Sequence, residues 1–338
     1  MANGMAGFSC EWPGVPTESH ATGTAMPATP AMAAHPAMAD PWEAALQFGE
    51  GTVIALLTKT EGAAYRNIGT AMAIAPDGRF AGAITSGCIE ADLVLRAADQ
   101  RLANAPTLLR YGEGSPFFDL RLPCGGAAEI TLFTLHDMPV LQSLSQARAA
   151  RQPTALLLSP DGRLSLTDHA QTGFGPNGFL TGFLPPLRFV IFGAGPEALV
   201  FASLVNSMGY GQTLLSHADN TLDIAAATGL NAQPLGRMAD IARLGIDAHT
   251  AALLFYHDHD YEPEILQALL QTPAFYIGAQ GSRNTQRNRL ARLSLDGVAD
   301  TQLARIHGPI GLIHSTRDPQ ALAISVMAEV MQYDAATV

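Results

Sequence analysis

The sequence predicts an α/β protein in two halves: an N-terminal α/β domain, then a C-terminal Rossmann-like, doubly wound parallel sheet. Three observations carry this. Residues 187–192 form a short apolar run leading into Gly193-Ala194-Gly195-Pro196-Glu197-Ala198 and an apolar helix to Met208. This is the strand, loop and helix order of a dinucleotide-type fold. Apolar runs at 212–215, 251–256 and 274–277 alternate with helical patterns such as 262–270, as the strands of a parallel sheet do. In the first half, β-branched and apolar runs at 52–58, 70–75 and 80–85 surround a Pro76-Asp77-Gly78 turn, which predicts a hairpin.

A helical period follows over 89–102, with Ile89, Leu93, Leu95 and Leu102 as its apolar face, and runs at 107–111 and 128–133 read as further strands. Asp40 is placed as a helix N-cap with Pro41 at the first helical position. Before it, residues 1–40 are rich in Ala, Met, Pro and Thr without either period and read as a disordered tail. The expected organisation is therefore a tail at 1–40, a cysteine-containing domain at 41–137, a bridging segment at 138–186 and a Rossmann-like domain at 187–335. The bridge holds a strand, an Asp161-Gly162 turn, another strand and a loop with Gly173, Gly175 and Gly178. The last helix starts at Asp318-Pro319.

With 338 residues, 48% of them hydrophobic, the chain can bury two cores. Its 30 acidic and 19 basic residues argue against nucleic acid as the main partner, since binding phosphates needs a basic face. No apolar run reaches the roughly 18 to 20 uncharged residues of a membrane span. The first basic residue is Lys59, so no export signal is expected. Three cysteines, Cys10, Cys88 and Cys124, cannot build a disulfide framework and fit a reducing, cytoplasmic setting.

Two of those cysteines are bracketed by glycine, in Ser86-Gly87-Cys88-Ile89-Glu90 and Leu122-Pro123-Cys124-Gly125-Gly126. Glycine lets a backbone approach a bulky group, and a thiol there is a soft ligand or a nucleophile. Cys88 precedes a helix whose N-terminus favours thiolate; burial as a small apolar residue is the competing reading. Zinc is a further alternative, although two cysteines supply only half a tetrahedron. In the second half, Gly193 and Gly195 allow a tight turn beside a helix N-terminus that can receive an anion. The second strand ends at Ser216-His217, with Asp219 the nearest acid, which weakens the ribose grip an NAD site needs. His257-Asp258-His259-Asp260 alternates faces if extended, so the four cannot share one ion. Asp258 stays a ligand candidate at a strand's C-terminal edge, and Asp260 a helix cap. Ser282 and Arg283 could hold a phosphate or carboxylate, while the run of Arg287, Arg289 and Arg292 is equally well read as a solvated helix face.

These pieces, in this order, resemble the XdhC/CoxI family of accessory proteins that handle molybdenum cofactor for xanthine dehydrogenase and related hydroxylases. The N-terminal half carries the resemblance in Gly69, Asp77-Gly78, Ser86-Gly87-Cys88-Ile89-Glu90, Tyr111-Gly112 and Cys124-Gly125-Gly126; the C-terminal half carries it in Ile191-Phe192-Gly193-Ala194-Gly195, His257-Asp258, Gly281-Ser282-Arg283 and Gly308-Pro309-Ile310-Gly311-Leu312. The resemblance implies a maturation chaperone rather than a turnover enzyme. It would bind molybdenum cofactor, as molybdopterin or its dinucleotide form, protect it during sulfuration and deliver it to an apo-hydroxylase. A cysteine desulfurase as sulfur source and a homodimer are also implied. Cys88 and Cys124 would lie nearest the metal, with Glu90, Gly125, Gly126 and Asp258 contributing to the site. The phosphate end would meet Gly193 and Gly195, or Ser282 and Arg283. Two other classes remain open: an NAD(P)-dependent oxidoreductase using the glycine loop, and a non-catalytic assembly scaffold that binds no small molecule.

Overall fold

The computed structural model describes residues 36–87, 89–115, 125–168, 171–256, 261–313 and 316–337. Cys88, Cys124 and Asp258 lie outside the described residues, as do Cys10, His257, His259 and Asp260. The chain divides into two compact units at Pro185/Pro186.

The first unit opens with a 3-10 turn at Pro36–Met38, then α1 (Pro41–Phe48). Asp40 caps this helix, its carboxylate accepting the N–H of Trp42 at 2.9 Å and of Glu43 at 3.0 Å. The elements β1 (Val53–Glu61), β2 (Ala71–Ile74), β3 (Phe80–Ala81), α2 (Glu90–Gln100), β4 (Thr107–Gly112) and β5 (Ala127–Thr134) follow. The strands form an antiparallel sheet in the order β3-β2-β1-β5-β4. Alternate residues of β1 face opposite cores. Val53, Ala55 and Leu57 pack with Leu93 and Ala97 of α2, whereas Ile54 and Leu56 pack with Trp42 and with Leu141 and Leu144 of α3 (Met138–Ala149). Because both faces are covered, β1 reads as a continuous apolar run.

Two local expectations fail here. The strand expected over 80–85 is two residues long, because Gly82 takes a left-handed φ of +81° and turns the chain away. A Cβ there would stand 2.5 Å from the Ala71 carbonyl oxygen. On α2, Leu95 and Leu102 are exposed rather than packed; the buried face is Glu90, Leu93, Ala97 and Gln100, the i, i+3, i+7, i+10 stripe of one helix side.

After α3 come β6 (Thr154–Leu158), β7 (Leu164–Thr167), β8 (Gly173–Gly175) and β9 (Gly178–Phe183), a sheet ordered β7-β6-β9-β8. Leu156, Leu158, Leu164 and Phe179 bury into the same core as Trp42 and Ile54.

The second unit runs β10 (Arg188–Gly193), α4 (Pro196–Ser207), β11 (Gly211–Ser216), α5 (Asp219–Ala227), β12 (Ala232–Pro234), β13 (Thr250–Phe255), α6 (Glu262–Leu270), β14 (Tyr276–Ala279), α7 (Arg283–Leu295), α8 (Asp300–Leu303), β15 (Ile306–His307) and α9 (Pro319–Thr337). Its six strands are parallel in the order β12-β11-β10-β13-β14-β15. Numbered within the unit this is 3-2-1-4-5-6, the order of a Rossmann sheet. Phe189 and Ile191 face Phe201 of α4 and Val326 and Val330 of α9; Val190 and Phe192 face Ile265 and Leu269 of α6 and Leu293 of α7. The strand order switches direction between β10 and β13. Ligand crevices in such sheets open beyond the strands' C-terminal ends.

Candidate functional site

In the first unit, Glu90 is buried and its carboxylate closes the loop that precedes α2. It accepts the Thr85 N–H at 2.6 Å, the Thr85 hydroxyl at 2.7 Å and the Ile89 N–H at 3.2 Å. Both carboxylate oxygens are thus engaged with the segment that carries Cys88. Glu90 is a positioning residue there, holding the turn rather than facing a ligand. Inside the turn Gly87 has φ +104°, a conformation that glycine adopts without strain.

The second glycine-bracketed segment meets the first. A Cβ on Gly126 would stand 2.3 Å from the Ala63 carbonyl oxygen and 2.6 Å from that of Glu61, so Gly126 is required for close approach of the chain. Gly125 has φ +72° and open space where a Cβ would project. Ala63, Tyr65, Arg66, Ile84, Thr85 and Ala127 line one small cavity of about 10 Å3, room for one water at most. Residues 62–66, the flank of Cys88 and the flank of Cys124 therefore gather at one end of β1. Beside them, Arg110 bonds Glu61 at 2.6 Å and Glu129 at 2.8 Å. The Arg110 hydrogen bond, helped by Lys59, draws the Glu61 pKa down to about 2.

In the second unit the glycine loop is largely occupied by the chain itself. Gly193 is a packing glycine: a Cβ would stand 2.6 Å from the Phe255 carbonyl oxygen. The Gly195 N–H donates to the Thr221 hydroxyl at 3.1 Å, Pro196 has no N–H, and Glu197 places a carboxylate in the first turn of α4. These groups meet part of the anion demand of the helix N-terminus. At the end of β11, where a ribose-binding acid is missing, His217 stacks on Tyr261 at 4.4 Å and on Tyr256 at 5.5 Å. Burial pushes the Tyr256 phenol pKa up. Its hydroxyl is buried without a partner among the described residues.

A larger space lies further along the same sheet edge. A pocket of about 550 Å3 is lined by Gln280, Ser282 and Arg283 after β14, by Pro309, Ile310 and Ile313 after β15, and by Thr316, Arg317 and Leu322 at the start of α9. Ser282 is the N-cap of α7: its hydroxyl oxygen accepts the Thr285 N–H at 3.0 Å. Arg283 and Arg317 are exposed. Gln280 has a buried side-chain oxygen with no partner among the described residues.

The pocket's floor is fixed from behind. Arg289 and Glu262 form a bidentate pair at 2.9 and 3.0 Å, both side chains 2% exposed. Arg289 also donates to the Gln280 carbonyl oxygen at 2.7 Å, and Gln286 donates to Ile306 of β15 at 3.2 Å. The solvated-face reading thus fails for Arg289, which burial and a carboxylate partner recruit to the interior; Arg287 and Arg292 stay exposed. Opposite, the Ser325 hydroxyl of α9 accepts the Ile313 N–H at 2.7 Å, and Glu329 accepts both the Tyr276 hydroxyl, at 2.8 Å, and the Gly311 N–H. Sequence patterns gave no sign of Arg317 or Gln280, since an isolated cation after a loop and an amide at a strand end carry no periodicity. Among the described residues, no group of three His, Cys, Asp or Glu side chains could hold a metal ion. No described helix is long and apolar enough to cross a membrane.

Two family models match the chain: the XdhC Rossmann domain over residues 189–330 and the XdhC and CoxI family over residues 45–112. The molybdenum cofactor insertion chaperone PaoD of Escherichia coli K12 is 34% identical over 288 residues, covering 85% of this chain and 84% of PaoD. The chain belongs to the XdhC and CoxI family. Within that family, a probable xanthine dehydrogenase component from Bacillus subtilis strain 168 is 23% identical, covering 86% of this chain and 95% of the relative. The crystal structure of a xanthine dehydrogenase from Bacillus halodurans has the same fold, with a TM-score of 0.66 at 22% identity over 84% of this chain and 92% of that one. The XdhC and CoxI match holds Cys88 and Glu90, and the XdhC Rossmann match holds Gly193, Gly195, Asp258, Ser282 and Arg283. Cys124, Gly125 and Gly126 fall between the two.

Proposed function

We propose that this protein is a carrier of molybdenum cofactor, binding it, shielding it during sulfuration and handing it to an apo-molybdenum hydroxylase of the xanthine dehydrogenase type. The observation that carries this reading is the gathering of the two cysteine-flanking segments and residues 62–66 at one end of the first sheet, in a chain 34% identical to a molybdenum cofactor insertion chaperone. Molybdenum held by a dithiolene is a soft centre suited to thiolate contact. Cys88 and Cys124 make that contact in this reading, Glu90 setting the first loop and Gly125 and Gly126 the second. A cysteine desulfurase supplies the sulfur, and the carrier acts in the cytoplasm as a homodimer. The oxidoreductase alternative has less support, because the Gly195 N–H is taken up by Thr221 and no carboxylate stands at the end of β11.

The test is transfer. Protein loaded anaerobically with sulfurated cofactor is mixed with apo-hydroxylase, and hydroxylase activity is followed against free cofactor at equal molybdenum. Faster activation by the loaded protein, lost in Cys88→Ala and Cys124→Ala, is expected. Activation no better than with free cofactor overturns the carrier reading.

A further inference from the structure

The pocket after β14 and β15 lies away from the glycine loop, and its lining is chemically divided. Arg283 and Arg317 bring two cations to a stretch of wall on which no described acidic side chain stands, while Pro309, Ile310, Ile313 and Leu322 supply an apolar surface. This occurs in a chain of net charge −11, where a local pair of exposed arginines stands out. A volume of about 550 Å3 is in the range of clefts that enclose a small organic ligand, roughly 300–1,000 Å3. Two further features favour a ligand bearing both a phosphate and a polar ring. The unpartnered buried oxygen of Gln280 awaits a donor. The first turn of the thirteen-residue α7 borders the pocket at Arg283, so backbone dipoles add to the arginine charge. The glycine loop lacks these provisions, its Gly195 N–H and first turn being engaged by Thr221 and Glu197.

We propose that this pocket, and not the glycine loop, is the phosphate subsite of the protein: Arg283 and Arg317 bind the phosphate monoester of a ring-bearing ligand whose ring lies against Ile310 and Leu322. The ligand's identity rests on the carrier reading, in which such an ester is either the pterin phosphate of the cofactor or the nucleotide half of its dinucleotide form. The walls are rigid where this needs them to be. Arg289 fixes the Gln280 backbone, and Ser325 and Glu329 fix residues 311–313. Guanidinium forks match phosphate oxygens two at a time, so each arginine contributes separately.

The experiment needs no molybdenum. The full-length protein is titrated calorimetrically with 6-hydroxymethylpterin phosphate, with cytidine, adenosine and guanosine 5′-monophosphates, with the corresponding unphosphorylated pterin and nucleosides, and with inorganic phosphate. At least one ester is expected to bind saturably. Loss of the phosphate, Arg283→Ala or Arg317→Ala should each weaken it by about tenfold or more, with partial recovery in Arg317→Lys. Both arginines are exposed, so the variants should keep the wild-type melting temperature, which is checked on the same samples. Preference for the pterin ester or for a nucleotide identifies which part of the cofactor the pocket takes. Esters that bind no better than inorganic phosphate, or an affinity unchanged within about twofold in both alanine variants, overturn the proposal. Failure of the carrier reading shows separately, as absent retention of whole cofactor by a protein that still binds the ester.

Discussion

Arg289 of α7 and Glu262 of α6 form a buried, bidentate ion pair that also holds the carbonyl of Gln280, the residue at which β14 leaves the sheet. One guanidinium therefore links two helices to the rim of the pocket. Desolvating two charges is costly, and breaking a buried pair from one side strands the other charge. Arg289→Ala and Glu262→Ala are each expected to lower stability by about 3–5 kcal/mol, measured by urea unfolding. Arg289→Met with Glu262→Leu should recover most of that loss. A single variant within about 1 kcal/mol of wild type would contradict the pair's structural weight.

Glu90 should matter through the loop it closes. Glu90→Gln replaces a carboxylate that accepts from three donors by an amide with one acceptor oxygen, at a cost of about 1–3 kcal/mol. The loop of residues 85–89 should open, and iodoacetamide should label Cys88 faster than in wild type, read by mass spectrometry after digestion. Unchanged labelling at full stability would show that the carboxylate does not set this loop.

The paired glycines after Cys124 should respond differently to a methyl group. Gly126→Ala places a Cβ against two carbonyl oxygens, at 2.3 and 2.6 Å, so the backbone of 61–63 must move. Gly125→Ala meets nothing but pays for a left-handed φ, about 1–2 kcal/mol. The thermal midpoint should fall further for Gly126→Ala; the reverse order would contradict the close approach.

Acid should weaken the start of the first unit. Burial raises the Asp40 pKa, but the bond from Arg148 and the N–H donors of Glu43 and Trp42 outweigh it, holding the carboxyl below its ordinary value. The folded pKa lies under the unfolded one of about 3.9. The contribution is then complete above that unfolded value and is lost as pH falls through the folded value. In Arg148→Gln, stability at neutral pH should be lower and its further loss on acidification smaller. An acid limb identical to wild type would exclude this linkage.

Much of the architecture was legible because periodicity and caps carry it. The run from Phe189 to Phe192, the glycines that follow and the helix behind them specify a Rossmann start, and Asp40-Pro41 marks a helix that the structure caps as expected. Elements decided by long-range contacts were not legible. Leu95 looks like core on a helical wheel, but the sheet takes the opposite face of α2, with Leu93 and Ala97. β15 is two residues paired only to β14, too short to leave a pattern. The candidate site divides in the same way. Glycine beside cysteine is a local signal, whereas Thr85 beneath Glu90 and Arg317 beside Arg283's pocket depend on chain segments meeting in space.

The central claim is that the thiols hold molybdenum cofactor. Anaerobic apo-protein is incubated with the cofactor, freed of unbound ligand, and assayed for retained molybdenum and pterin in wild type, Cys88→Ala and Cys124→Ala. The account predicts that molybdenum and pterin are retained in equal amounts by wild type and fall sharply in both variants at unchanged melting temperature. No retention by wild type, or full retention by both variants, would contradict it.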